Sequence, residues 1–159
     1  MEFERAFQAL CDAGVEFVVI GGVSGTLHGS ARVTYDLDIC FSRSSANLKR
    51  LVSALAPFHP RLRDLPAGLP FLWEEATLRN GTVFTLQTDL GQIDLLAEVA
   101  GLGTYDEVKA RSIMVEAFDR RVAALDLRGL IEAKRAAGRE RDLAALPELE
   151  SLLDAREGD

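Results

Sequence analysis

The chain has 159 residues, is 48% hydrophobic and 27% charged, and carries a formal net charge of −7. This composition predicts a soluble globular protein with one hydrophobic core and a small helical appendage. The negative charge argues against general nucleic-acid binding, so a nucleic-acid partner would have to contact a local basic patch.

The sequence shows no signal peptide before Phe3 and no apolar run near the roughly 18 residues of a membrane span. We therefore expect a cytoplasmic protein with no membrane partner. The two cysteines, Cys11 and Cys40, form neither a disulfide framework nor a metal-ligand spacing, and both are predicted to be buried thiols.

The first 41 residues predict a helix, a strand, a short helix and a second strand. Apolar residues at helical spacing begin at Phe3, and Gly14 ends that helix. A strand is predicted over 16–20 because that segment is rich in β-branched and aromatic residues. A glycine turn then begins a helix that extends to about residue 28, and a loop leads to a strand over 36–41.

The middle of the chain mixes helices with paired strands. A helix over 45–58 leads into an irregular segment over 57–70, which holds four prolines. The remaining predicted elements are a helix over 72–79, a hairpin of strands 82–87 and 92–98, a helical turn over 105–110, and strands over 112–118 and 121–125.

From residue 126 the pattern is helical to about 155, and Gly138 divides it into two helices. Early strands with interspersed helices, followed by a helical tail, predict an α+β fold. We expect a core over residues 1–125 and a C-terminal helical pair, over 126–159, packed on that core.

The glycine turn is one half of a candidate site. Gly21 and Gly22 lie between a strand and a helix, where glycine lets the backbone approach a phosphate closely. The start of the following helix offers free N–H groups, and the Ser24 hydroxyl can add a hydrogen bond. A Gly-Gly turn is weak evidence by itself, because most such turns are structural.

Three aspartates inside apolar strands form the other half. Asp36 and Asp38 are two residues apart, so they lie on one face of a strand, and Asp94 repeats the pattern in Gln92-Ile93-Asp94-Leu95-Leu96. Asp is depleted from strand interiors, and carboxylate oxygens are ligands that Mg²⁺ prefers. If the strands are neighbours, the three side chains converge as a two-metal site for nucleotidyl or phosphoryl transfer, with Asp94 as the candidate that binds the activating metal or takes the hydroxyl proton. The alternative is a solvated edge strand with a local ion pair, for instance to Arg32.

The C-terminal helices supply two cations. Lys134 lies on the apolar stripe of the first helix, where a lysine is unusual unless it reaches solvent or faces a site. Arg139 lies in register with Asp142 on the second helix. Both cations are in a position to contact phosphates, or they belong to a solvated helix with an Arg139–Asp142 ion pair.

These residues resemble the nucleotidyltransferase superfamily of DNA polymerase β-like enzymes. The pattern there is a Gly-Gly or Gly-Ser turn, a spacer of about ten to thirteen residues, Asp-x-Asp on a strand and a later third Asp; here it is Gly21-Gly22, Asp36-Leu37-Asp38 and Asp94. The stretches Leu27-His28-Gly29, Arg32-Val33-Thr34-Tyr35-Asp36 and Lys134…Arg139…Asp142 are similar to the branch of AbiEii-type toxins.

The resemblance implies a small mixed sheet flanked by helices, and transfer of a nucleoside monophosphate from a triphosphate, with two Mg²⁺ ions and release of pyrophosphate. It implies that Asp36, Asp38 and Asp94 bind the metals. The nucleotide would be bound by Gly21, Gly22, Ser24, Arg32, Lys134 and Arg139. His28 and Trp73 are weaker candidates, for lining the site and for stacking on a base, and each is more often structural.

Several functions remain open from the sequence. The acceptor of an active enzyme could be tRNA or a protein, as in the toxin-like branch, or a small molecule, as in antibiotic-modifying enzymes. The chain has little room for an acceptor-binding domain, so a second copy in a homodimer or a partner protein could supply the surface that binds the acceptor. The competing class is a non-catalytic nucleotide-binding protein, such as one half of a toxin–antitoxin pair.

Overall fold

The computed structural model describes residues 1–66 and 68–158. Residue 67, in the segment predicted to be irregular, and residue 159, at the end of the C-terminal helical segment, lie outside the described residues. The helices are α1 Phe3–Asp12, α2 Gly21–Leu27, α3 Ser45–Leu55, α4 Glu75–Arg79, α5 Tyr105–Ala110, α6 Leu127–Ala137 and α7 Glu140–Glu157. The strands are β1 Phe17–Ile20, β2 Asp36–Phe41, β3 Arg61–Leu62, β4 Val83–Thr88, β5 Gly91–Leu96, β6 Glu98–Val99, β7 Gly103–Thr104, β8 Ser112–Ala117 and β9 Arg120–Leu125.

A mixed sheet organises the molecule, with strand order β3-β4-β5-β2-β1-β9-β8. Strand β2 runs parallel to β5, β1 runs parallel to β9, and the other neighbours are antiparallel. The predicted α+β fold, with a mixed sheet, flanking helices and a C-terminal helical pair, is confirmed.

Each face of the sheet has its own hydrophobic cluster. On one face, Leu37 and Ile39 of β2 pack with Phe7 of α1 and Leu51 of α3. The other face carries Val18, Ile20 and Cys40, and α6 and α7 cover it through apolar residues such as Leu130, Ile131 and Leu149. Because side chains alternate along β2, Asp36 and Asp38 lie on the face that α6 and α7 cover.

Glycines in the left-handed region end two of the predicted helices. Gly14 follows α1 with φ +73°, and Gly138 separates α6 from α7 with φ +66°. Both conformations favour glycine because it has no Cβ, so these two chain breaks were readable from the sequence.

Some elements differ from the prediction. The helix predicted over 45–58 is α3 followed by a 3₁₀ turn, Ala56–Phe58, because Pro57 removes a backbone donor. Strand β3 lies inside the segment predicted to be irregular. The second strand of the hairpin ends at Leu96, and β6 then pairs with β7 in a separate ribbon.

Among residues 1–66 and 68–158, no helix combines the length and the apolar character needed to cross a bilayer.

Candidate active site

The three aspartates lie together on neighbouring strands. Asp38 of β2 is the register partner of Asp94 of β5. Two residues earlier on the same pair of strands, Asp36 is the partner of Gln92. Asp94 in turn faces Thr85 of β4. Because cross-strand partners place their side chains on the same face, Asp38 and Asp94 are immediate neighbours, and the condition on which the predicted site depended is met. We call Asp36, Asp38 and Asp94 the acidic row.

Asp38 is the most strongly perturbed member of the acidic row. Burial, together with the charges of Asp94 and Asp36 and a hydrogen bond to Asp94, raises its pKa from 3.8 to about 7, and Lys134 opposes that shift. A neighbouring carboxylate disfavours the charged form of a carboxyl group, and so does burial.

The Gly21 backbone is pressed against this carboxylate. A Cβ on residue 21 would lie 2.3 Å from Asp38 Oδ2, and Gly21 has φ +66°. Glycine is therefore required twice at this position, by conformation and by space. A Cβ on Gly22 would lie 2.7 Å from Thr34 Oγ1, so both glycines of the turn admit a close neighbour.

The shifted pKa of Asp38 predicts how stability depends on pH without metal. Because the pKa is raised above 3.8 on folding, the contribution of Asp38 is complete below about pH 4 and is lost as pH rises through about 7. We expect Asp38→Asn to raise Tm at pH 8 by roughly 5 °C, and to raise it much less at pH 5. Thermal unfolding in EDTA measures this, and Asp106→Asn, an exposed change in α5, is the control. An equal effect at both pH values would contradict the shift.

Asp94 is paired with a residue that the sequence did not single out. Arg63 Nη2 lies 2.8 Å from Asp94 Oδ1, and the two side chains are 23% and 19% exposed. Arg63 follows β3 in the proline-rich segment, where no hydrophobic periodicity marks a strand. Arg63 was missed because its position depends on the pairing of β3 with a distant strand at the edge of the sheet, which local sequence patterns do not show.

A cavity of about 440 Å³ opens beside the acidic row. Its lining contains almost every predicted site residue: Gly21, Gly22, Arg32, Asp36, Asp38, Asp94, Lys134 and Arg139. Arg141, which was not among the predicted site residues, also lines it. Its volume is in the range of small-molecule sites, and its wall combines glycine backbone with cationic side chains.

Asp142 fixes the two predicted cations of the C-terminal helices. Its carboxylate is buried and accepts from Arg139 Nε at 2.7 Å and from Lys134 Nζ at 3.5 Å. Burial alone would raise the pKa of Asp142, but the hydrogen bonds and charges of Arg139 and Lys134 hold it below its usual value. The predicted Arg139–Asp142 pair is thus present: its carboxylate is buried, whereas the Arg139 side chain is 60% exposed and lines the cavity.

Ser24 does not reach the cavity. Its side chain is buried, and its hydroxyl donates to the carbonyl of Leu125 at 2.9 Å. The buried His28 donates to the same carbonyl from Nε2 at 2.8 Å, so its Nδ1 accepts from Arg156 Nη1 at 2.9 Å. Both side chains join α2 to the end of β9, and their positions do not support a contact with phosphate.

Replacing Ser24 tests that assignment. Ser24→Ala removes one hydrogen bond from a carbonyl that keeps His28, so we expect a loss of about 1 kcal/mol, or roughly 3 °C in Tm. Nucleotide affinity should stay within twofold of the unchanged protein. Thr26→Ala is the control, because Thr26 is exposed on the same helix. A tenfold loss of affinity at unchanged Tm would place Ser24 at the phosphates after all.

The loop over 30–35 is held against α7 at the mouth of the cavity. Glu148 accepts from the Ser30 hydroxyl at 2.5 Å and from the backbone N–H of Ala31 at 3.0 Å. Arg32 Nη1 donates to the carbonyl of Ala144 at 3.5 Å, and in residues 1–66 and 68–158 it forms no ion pair with Asp36 or Asp38. Neither aspartate therefore neutralises the charge of Arg32, which is in a position to contact an anion in the cavity.

Trp73 and the cysteines have structural positions. Trp73 packs against the core and donates from Nε1 to the carbonyl of Val52 at 2.9 Å, away from the cavity lining. Cys40 is buried as predicted, whereas Cys11 is only partly buried.

A second cavity, of about 340 Å³, adjoins the first and is also lined by the acidic row. The two cavities share the acidic row, Lys134, Arg139 and Arg141, and the second adds Arg63 and apolar residues such as Val83, Leu96 and Val99. The acidic row therefore lines both cavities and is accessible from each.

The residues present fit divalent cations in donor chemistry. Asp38 and Asp94 provide adjacent carboxylate oxygens, and burial together with the neighbouring carboxylates raises the pKa of Asp38, a shift that a bound cation would oppose. Within the described ranges, however, no three His, Cys, Asp or Glu side chains are grouped closely enough to hold one ion in their present positions. Two carboxylates can still hold Mg²⁺ when water and substrate phosphates supply the remaining ligands.

The comparisons with known proteins support the fold. No protein-family model and no curated protein sequence matches the chain. Among solved structures, the chain is similar to a crystal structure from Thermotoga maritima, described as a "putative nucleotidyltransferase", with a TM-score of 0.54 and 13% identity. The alignment covers 99% of this chain and 91% of that chain. At this identity the likeness shows that the two chains share a fold.

Proposed function

We propose that this protein is a Mg²⁺-dependent nucleotidyltransferase that transfers a nucleoside monophosphate from a nucleoside triphosphate to an acceptor hydroxyl. The observation that carries the proposal is the contact of Asp38, Asp94 and the Gly21 backbone at the boundary of two cavities. The fold shared with the Thermotoga maritima protein supports the same chemistry.

The first cavity is suited to the triphosphate. Gly21 and Gly22 allow phosphate oxygens to approach the backbone, and Arg32, Lys134, Arg139 and Arg141 place cationic groups around the same space. Asp142 holds Lys134 and Arg139 in position, so less side-chain entropy is lost when they meet a ligand. This cluster is basic although the whole chain has a charge of −7.

The acidic row is suited to hold two Mg²⁺ ions, which would stabilise the charge on the α-phosphate and on the pyrophosphate. In the transfer, the acceptor oxygen forms a bond to the α-phosphorus, and the bond from that phosphorus to the β-bridging oxygen breaks. Pyrophosphate leaves with the electron pair. The hydroxyl proton passes to a carboxylate of the row, for which our candidate is Asp94, on the strand next to the one that carries Asp36 and Asp38.

The acceptor divides the proposal into two forms. The toxin-like branch, with tRNA or a protein as acceptor, rests on the sequence stretches around His28, Arg32 and Lys134, and a partner protein or a second copy could complete the acceptor wall. A small-molecule acceptor is the second candidate. It is favoured by the second cavity, whose volume of about 340 Å³ suits a compact group.

Label transfer tests the proposed function. The protein is incubated with Mg²⁺ and each of the four α-labelled nucleoside triphosphates, with cell lysate separated into RNA, protein and small-molecule fractions. Label in one fraction, absent with Asp36→Asn, would support the enzyme and identify its acceptor class and base. Mg²⁺-dependent binding without any transfer would favour the non-catalytic nucleotide-binding protein instead.

A further inference from the structure

Arg63 occupies a distinctive place beside the acidic row. Its backbone N–H donates to the carbonyl of Thr85 at 2.9 Å, which extends the pairing of β3 with β4 by one residue. Thr85 is the register partner of Asp94. The guanidinium then reaches across β4, where Nη1 lies 3.4 Å from the carbonyl of Leu86 and Nη2 lies 2.8 Å from Asp94 Oδ1.

This contact makes Asp94 different from its two neighbours. In the part of the chain that the structure describes, neither Asp36 nor Asp38 forms a salt bridge, whereas Asp94 has Arg63. Lys134 and Arg139, which also lie near the row, are both bound to the buried Asp142. Among the described residues, Arg63 is thus the cation that forms a salt bridge with the acidic row.

We infer that Arg63 is a positioning residue that competes with a divalent cation for Asp94 and so sets the cation affinity of the acidic row. The inference rests on the proposed function, because it takes Asp94 to be a metal ligand. A guanidinium on Oδ1 uses one of the oxygens that a cation would take, and like charges repel at this distance. The pair is about four-fifths buried, so solvent screens that repulsion only weakly.

The position of Arg63 allows it to yield. Arg63 directly follows β3, which has two residues and lies at the edge of the sheet. Its side chain lines the second cavity, so the guanidinium has space into which it can rotate. Before a divalent cation binds, Arg63 would compensate the negative charge of the Asp94 carboxylate. It would also cost affinity for the cation when it binds.

Mn²⁺ binding to the full chain without nucleotide tests the inference. Electron paramagnetic resonance counts free Mn²⁺, so the readout does not depend on activity. Arg63→Gln should bind Mn²⁺ at least fivefold more tightly than the unchanged protein. Arg63→Lys, which keeps the charge, should stay within twofold. Arg61→Gln is the matched control: it makes the same charge change two residues away, where the side chain is exposed and donates to the carbonyl of His59.

Each outcome decides the inference. Tighter binding by Arg63→Gln alone supports it. Equal tightening by Arg61→Gln would show a general field effect and overturn it, and so would unchanged or weaker binding by a folded Arg63→Gln, with folding checked by thermal unfolding. If the unchanged protein and every variant fail to bind Mn²⁺, the inference fails, and Mg²⁺-dependent binding of a nucleoside triphosphate analogue then decides the proposed function separately. If binding is lost in Asp38→Asn but indifferent to Arg63, only the inference fails.

Discussion

Replacing Asp38 by asparagine is expected to lower the rate of nucleotidyl transfer by about a thousandfold while the protein stays folded. Asp38 lies at the centre of the acidic row, beside Asp94 and against the Gly21 backbone. Asparagine keeps the shape but removes the charge that binds a cation. A loss of about 4 kcal/mol of transition-state stabilisation corresponds to a thousandfold in rate. Single-turnover transfer from an α-labelled nucleoside triphosphate measures the change.

The control for Asp38→Asn is the same substitution at the exposed Asp106, which should leave the rate unchanged. Thermal unfolding must be measured in parallel, because the variant should be as stable as the unchanged protein or more stable. A transfer rate within tenfold of the unchanged protein would show that Asp38 is not a metal ligand. A large fall in Tm without metal would instead make the aspartate structural.

Gly21→Ala is expected to disrupt the site with a smaller effect on the fold. The left-handed conformation at φ +66° costs an alanine about 1 kcal/mol. The new Cβ would also lie 2.3 Å from Asp38 Oδ2, and the movable end of that side chain must give way. We therefore expect Tm to fall by about 3–5 °C and Mg²⁺-dependent nucleotide binding to fall by at least tenfold.

Gly25→Ala provides the comparison on the same helix. Gly25 has no left-handed φ, and an added Cβ would meet its nearest neighbours at 3.6 Å or more. Alanine there should leave Tm unchanged or raise it slightly, because alanine is the better helix former. If Gly21→Ala binds nucleotide as tightly as the unchanged protein, close packing of the turn against Asp38 has no functional role.

Local sequence patterns were enough to find the acidic row. Asp36 and Asp38 alternate with Leu37 and Ile39, which are fully buried, so the period of two placed both carboxylates on the opposite face. Asp94 was found in the same way on β5. The parallel pairing of β2 with β5 brings Asp38 and Asp94 together, and the sequence offered that pairing only as a condition.

The partners of the site were harder to predict, because they depend on contacts between distant segments. Arg63 reaches Asp94 from a two-residue strand with no periodic pattern, and Glu148 holds Ser30 from 118 residues away. Ser24 was misleading for a related reason. The motif places the Ser24 hydroxyl near the turn, but on α2 that hydroxyl points to the carbonyl of Leu125 and not to the cavity. Backbone carbonyls leave no trace in side-chain patterns.

The measurement that tests the central claim most directly is equilibrium binding of a non-hydrolysable nucleoside triphosphate analogue, with and without Mg²⁺, to the unchanged protein and to Asp38→Asn. If the acidic row and the glycine turn form one metal–triphosphate site, the unchanged protein binds the analogue only with Mg²⁺, and Asp38→Asn loses that binding. Absence of binding in both proteins, or equal binding with and without Mg²⁺, would contradict the proposed site.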